Sequence, residues 1–135
     1  GYNYATAFEI ALKLAEIVYL PLQPYSSADF RHGPFALVEA NFPALFVVPG
    51  GSTFGDVFNL LEAMHRCGAD LLVISDEVAA LERGAVRFLL PPDVPEWLTP
   101  LTAVVPGQLM ALRLAEARGL DPDSPRSLQK VTKTI

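Results

Sequence analysis

The stretch Ala44-Leu45-Phe46-Val47-Val48-Pro49-Gly50-Gly51-Ser52-Thr53-Phe54 decides the fold class of this chain. Its five leading apolar residues are too few for a helix and, without polar alternation, suit a strand buried on both faces. Pro49-Gly50-Gly51 breaks the run, and Ser52 or Thr53 stands where a hydroxyl caps a helix. Phe54, Val57, Phe58, Leu61 and Met64 then keep the helical period until Gly68 ends it. Beyond Gly68, Leu71–Ser75 is a second apolar strand, Glu77–Arg83 a short helix, and Val86–Leu90 a third strand stopped by Pro91-Pro92. Strands alternating with helices predict an α/β layer with a parallel sheet, because each helix serves as the crossover.

Upstream, Asn3 is placed to cap a helix running to about Leu20, whose Phe8, Ala11, Leu12, Ala15, Val18 and Tyr19 spread over so wide an arc that it should be largely buried. Pro21 and Pro24 stop it, Ser26-Ser27-Ala28-Asp29 starts one short turn, and Gly33-Pro34 ends that. Downstream, Thr99-Pro100 opens a long last helix through Arg118, which Pro106 is placed to kink and Gly119 to terminate. Leu120–Ile135, with two prolines and no period, reads as a tail. A helix ahead of the first strand, in a chain beginning at Gly1, leads us to expect that an earlier strand lies upstream and is missing here.

The 135 residues correspond to one domain, and 51% apolar residues with a mean hydropathy of +0.32 can supply a core. Fifteen acidic against ten basic residues, net −5, disfavour a nucleic-acid partner. Uninterrupted apolar stretches such as Ala44–Pro49 fall short of the roughly 18–20 residues of a bilayer span, so no membrane partner is expected. The lone Cys67 cannot pair within the chain and suits a reducing compartment, hence a cytoplasmic location. No Cys/His spacing suggests a metal.

Glu9, Lys13 and Glu16, at i, i+4 and i+7, fall within roughly 60° of one helix face. This is either an ordinary solvated stripe or, on a helix otherwise so apolar, the lining of a cleft or interface where a carboxylate beside an ammonium can transfer protons. His32, in the proline-bounded segment Tyr25–Pro34, either caps and packs or serves a site. His65, next to Arg66 at a helix end, fits a surface role. Pro49-Gly50-Gly51-Ser52-Thr53 has a loose phosphate-loop geometry that plain capping also explains. Lys130, in the tail with Arg126 and Lys133, is either solvated or, folded across a cleft, a Schiff-base amine.

Taken together, Ala11-Leu12-Lys13-Leu14-Ala15-Glu16, Tyr25-Ser26-Ser27-Ala28-Asp29-Phe30-Arg31-His32-Gly33-Pro34 and Asp121-Pro122-Asp123-Ser124-Pro125-Arg126-Ser127-Leu128-Gln129-Lys130 resemble one family over the whole chain and in the same order. It is similar to the second sugar-isomerase (SIS) domain in the isomerase half of the glutamine–fructose-6-phosphate aminotransferases. The resemblance implies a flavodoxin-like doubly wound parallel sheet over residues 1–119, the C-terminal member of a tandem pair, and a tail, 120–135, closing over the active site. It implies an upstream SIS domain carrying the loop that grips the sugar phosphate, a homodimer, and catalysis without metal or organic cofactor. By position, Glu16 matches the carboxylate that moves a proton between C1 and C2, and Lys13 the lysine beside it. His32 matches the ring-opening histidine that reaches a neighbouring subunit's site, and Lys130 the lysine that forms an imine with the open ketose. The implied reaction interconverts fructose 6-phosphate and glucosamine 6-phosphate. SIS-only deaminases and a non-catalytic sugar-phosphate sensor are the alternatives. Relatives often have Lys-x-Lys-Glu where Lys13-Leu14-Ala15-Glu16 stands, and a small residue in place of Gln129, which suggests a divergent branch.

Overall fold

The structure is a computed structural model that describes residues 1–126. Strands β1 (Pro43–Val47), β2 (Asp70–Ser75) and β3 (Val86–Leu89) form a parallel sheet in that order. Pro43 is opposite Asp70 and Val47 opposite Ile74 across the first pair; Leu72 is opposite Val86 and Ser75 opposite Leu89 across the second. Pro43, which lacks an N–H, stands where the ladder tolerates it, at the first residue of an edge strand.

Alternation along the strands sends side chains to two helical layers. Leu45, Val47, Ile74, Phe88 and Leu90 pack against α1 (Tyr4–Lys13), a π-helical turn (Leu14–Val18) and α5 (Thr99–Ala117). On the other face, Ala44, Phe46, Val48, Leu71 and Val73 pack against α3 (Phe54–Arg66) and α4 (Val78–Leu81), flanked by Phe30 of α2 (Ser27–Arg31) and Phe35 of a 3₁₀ turn (Pro34–Leu37). Ile74, Val73 and Leu61 are fully buried, each worth roughly 1.5–3 kcal/mol. The doubly wound architecture read from the sequence is therefore the one observed.

On the first face α1 and α5 run side by side in the same direction. Asn3 Nδ2 donates to Thr99 Oγ1 (2.7 Å), Ile10 abuts Gly107, and Arg118 Nη1 donates to the Val18 carbonyl (3.4 Å). Small residues on α5, Ala103, Gly107, Ala111 and Ala115, permit this close approach. The stretch Glu96–Ala117 is long and apolar enough, at a mean hydropathy of 1.2, to cross a membrane by length and composition, but its small-residue face is the one packed on α1.

Several local expectations change. Asn3 occupies the cap position without capping; its amide bridges to Thr99, and its oxygen accepts from Thr6 Oγ1 (3.1 Å). The first helix does not continue regularly to Leu20: it widens into the π-helical turn and ends at Tyr19, in the left-handed region (φ 60°). Nor is it buried all round, since Tyr4, Phe8 and Leu12 form an outward stripe 41, 48 and 50% exposed. Pro106 lies inside an unbroken 19-residue helix, and the short helix after β2 spans only Val78–Leu81. Ser26 does cap α2, accepting the Asp29 N–H at 3.1 Å. Along the outer edge of β1, where no described strand pairs, a groove of about 800 Å³ runs between α1 and α3.

Candidate active site

Glu16 projects from the π-helical turn, an irregularity that often marks functional sites. Lys13 Nζ lies 2.8 Å from Glu16 Oε2 and 3.9 Å from Glu9 Oε1, and Gln108 Nε2 of α5 donates to Glu9 Oε1 (3.2 Å). The three charges thus form one row along the crease between α1 and α5, each about a third exposed. The hydrogen bond to Glu16 holds the Lys13 pKa above its ordinary 10.5; burial opposes this, and the charges of Glu16 and Glu9 reinforce it. This cation stays charged and orients the carboxylate next to it.

The end of the turn is gripped by a residue from beyond α5. Arg126 stacks its guanidinium over the Tyr19 ring, 4.7 Å from the centroid, and its backbone N–H donates to the Tyr19 hydroxyl (2.8 Å). Helical periodicity marks Tyr19 and Arg118 only as a packed position and a helix end, not as partners of the turn. Their signal is long-range, apart from the left-handed backbone of a tyrosine, which no pattern announces. Lys130 lies outside the described residues.

His32 is at the C-cap of α2, its backbone N–H donating to the Asp29 carbonyl (3.2 Å), with the residue itself exposed. Arg31 Nη2 donates to the Asp56 carbonyl in the first turn of α3, so this segment sits near the C-terminal ends of the strands. α1 also starts at that end, where Gly1 meets Thr53, and Glu16 lies 13 residues beyond Asn3, roughly 20 Å along a helix. Within one chain, then, the structure joins Glu16 to Lys13 but places His32 at the opposite end and on the other layer. His65 is exposed on the last turn of α3, as its surface reading requires.

Open α/β sheets usually bind ligands beyond the strand C-termini. Here that position is the Pro49–Thr53 loop, and carboxylates fill it. Asp76 Oδ1 accepts the Gly50 N–H (2.8 Å), Ser52 Oγ donates to Glu96 Oε1 (2.7 Å), and a Cβ on Gly50 would come within 2.7 Å of Glu77 Oε1. The Ser52 hydroxyl and backbone hold the Glu96 carboxyl below its usual range, so this carboxylate stays charged. Neither hydroxyl caps α3: Ser52 is turned to Glu96, and Thr53, at the cap position, makes no side-chain cap bond. Three acidic side chains at the loop repel an anion, and the phosphate-loop reading is withdrawn.

A parallel sheet covered on both faces by helices, with the Glu9–Lys13–Glu16 row on one helical layer and carboxylates at the strand-end loop, defines a doubly wound α/β domain. The SIS domain model matches residues 1–117, and the chain belongs to that family. It is 39% identical over 130 residues to the glutamine–fructose-6-phosphate aminotransferase (isomerizing) of Pyrococcus horikoshii, covering 96% of this chain and 22% of that protein. The C-terminal domain of glucosamine-fructose-6-phosphate aminotransferase from Francisella tularensis superimposes with a TM-score of 0.78 at 31% identity, over 90% of this chain and 35% of that one. A glucosamine-6-phosphate deaminase from Thermotoga maritima shares the fold, with a TM-score of 0.69 at 24% identity over 94% of this chain and 36% of that one. The chain therefore spans about a fifth of the curated relative's length.

Proposed function

We propose that this chain is the proton-transferring half of a sugar-phosphate isomerase module that interconverts fructose 6-phosphate and glucosamine 6-phosphate with ammonia as co-substrate. The observation that carries the reading is the Lys13–Glu16 ion pair where α1 passes into the π-helical turn, whose closing residue Tyr19 is held by Arg126. The Lys130 amine condenses with the C2 carbonyl of the open ketose, releasing water, and the resulting iminium acidifies C1. Exchange of the lysine for ammonia frees Lys130 and leaves the nitrogen on C2. Glu16 takes a proton from C1 and returns it to C2, giving the amino aldose. Lys13 fixes the carboxylate's orientation.

The separation of His32 from Glu16 in one chain supports ring opening by the histidine of a second subunit, hence a homodimer. The outward stripes Tyr4, Phe8, Leu12 on α1 and Leu101, Val105, Leu109 on α5 are consistent with that assembly. An upstream SIS domain would hold the phosphate, since the Pro49–Thr53 loop does not suit it, and the reaction would take place in the cytoplasm.

The test is Glu16→Gln in the full-length protein, supplied with fructose 6-phosphate and ammonia. Loss of a general acid–base group should lower kcat by about 10²–10⁴-fold and abolish exchange of the C1 proton with deuterated solvent. Turnover at the wild-type rate would refute the role. Tight sugar-phosphate binding by the wild-type protein without isomer or ammonia formation would indicate a sensor instead.

A further inference from the structure

Lys13 stands between two carboxylates and is paired against its local preference. Glu9 precedes it at i,i+4, the order of charges a helix favours, whereas Glu16 follows it at i,i+3 in the weaker, reversed order. Yet Nζ lies 2.8 Å from Glu16 Oε2 and 3.9 Å from Glu9 Oε1, hydrogen-bonded to the first and only near the second. The Glu9 oxygen that faces Lys13 is already engaged. Gln108, 99 residues later on α5, donates its amide Nε2 to that same Oε1 at 3.2 Å. A carboxylate only accepts, so the amide presents its NH2 group here and not its oxygen. The neighbouring Gly107 sets Gln108 at this level, because its missing Cβ lets α5 close on Ile10. The cations of α5 and its C-cap are engaged elsewhere: Arg113 pairs with Glu116 (2.8 Å), and Arg118 donates to the Val18 carbonyl.

We propose that Gln108 is a positioning residue for proton transfer: its amide holds the Glu9 carboxylate to α5 and so leaves the Lys13 ammonium to Glu16. This rests on the proton-transfer reading of Glu16 above. An ion pair a third exposed sits in a shallow minimum, which a second carboxylate a few ångströms away can empty. With Oε1 engaged by a neutral donor, Glu9 still acts on Lys13 through its charge but competes less well for a hydrogen bond from the ammonium. The Lys13–Glu16 bond then fixes the carboxylate that must meet the sugar, where small displacements cost large factors in rate. Because the donor comes from α5, the seating of α1 on α5 and the alignment of the acid–base group are one event.

The experiment compares wild type, Gln108→Leu and Gln108→Glu in the full-length protein, with Glu16→Gln as the reference, by two readouts. With fructose 6-phosphate and ammonia as substrates, kcat, KM and exchange of the C1 proton with deuterated solvent report the chemistry. A crystal structure of Gln108→Leu reports where the Lys13 ammonium lies. Gln108→Leu should lower kcat and C1 exchange together by about three- to tenfold, the factor one hydrogen bond represents. KM should stay within about twofold, since a residue that aligns the acid–base group adds nothing to substrate binding. In its structure Lys13 Nζ should lie within hydrogen-bond distance of Glu9 and outside that distance from Glu16. Gln108→Glu keeps the size and shape of the side chain but sets a second carboxylate against Glu9, so it should lose at least as much; a role in packing alone would leave it active. Lys13 still bonded to Glu16 in Gln108→Leu overturns the proposal, as does a wild-type kcat in either Gln108 variant. Wild-type turnover in Glu16→Gln overturns the proton-transfer reading instead, and the action of Gln108 on the pair is then decided by the position of Lys13 alone.

Discussion

Replacing Gly107 with alanine tests whether α1, and Glu16 with it, is seated by its contact with α5. A Cβ at that position would overlap Cγ1 and Cδ1 of Ile10 and come within 3.3 Å of its Cγ2. Ile10 is 1% exposed and enclosed by Leu14, Ile74 and Ala103, so it has little room to retreat. Two effects oppose each other. Alanine is the better helix former by about 1 kcal/mol, while overpacking a buried seam costs about 1–3 kcal/mol. The expected net loss is about 1 kcal/mol, a fall in Tm of roughly 3–5 °C at this size. The assay is a double-mutant cycle with Ile10→Ala, read by urea unfolding and far-UV circular dichroism. Alone, Ile10→Ala leaves a cavity and costs about 2–5 kcal/mol. Combined with Gly107→Ala, the new methyl enters that cavity, and the double mutant should be more stable than additivity predicts by about 1 kcal/mol or more. Additivity within about 0.5 kcal/mol would refute the seam as what seats α1.

Two further outcomes follow from named contacts. Because Lys13 has its pKa raised by Glu16, the pair's stabilisation is fully present below the ordinary 10.5 and lost as pH rises through the higher folded value. Lys13→Met should therefore be less stable than wild type at neutral pH, by about 0.2–1 kcal/mol for a pair this exposed, with the gap closing well above pH 10.5; a pH-independent gap in urea midpoints counts against the pair. Ser75, fully buried, donates to the Val48 carbonyl (2.7 Å) and accepts the Glu77 N–H (3.0 Å). Ser75→Ala strands both partners and should cost about 1–3 kcal/mol; a thermal scan matching wild type would contradict that accounting.

The sheet was legible because its signal is local: Ala44–Val48, Leu71–Ser75 and Val86–Leu90 are apolar runs between strong breakers, and Gly68 and Gly119 end their helices. The Lys13–Glu16 pair was legible from helical spacing, although that spacing assumed a regular helix and missed the π-helical turn. What stayed hidden depends on residues far apart in the sequence. Capping propensity gave no sign that Asn3 turns to Thr99 or Ser52 to Glu96, because each has a distant partner that competes with the local backbone. Nor did loop composition reveal that Asp76, Glu77 and Glu96 close the strand-end crevice to anions. The resemblance assigned roles to Glu16 and Lys130 and sent His32 to a neighbouring subunit's site; within one chain the fold keeps His32 away from Glu16 and brings Arg126 to Tyr19 at the end of the Glu16 turn.

The side-by-side seating of α1 on α5 also has a cost in time. Ile10 meets Gly107, so during vectorial synthesis α1 emerges without its permanent neighbour. At ordinary elongation speeds about 5–20 s pass before that neighbour is even translated. Through that interval the apolar flank of α1 must be sheltered by something else or stay wet. Contacts this remote in sequence close late and slowly, so the turn that carries Glu16 should be among the last parts of the domain to settle.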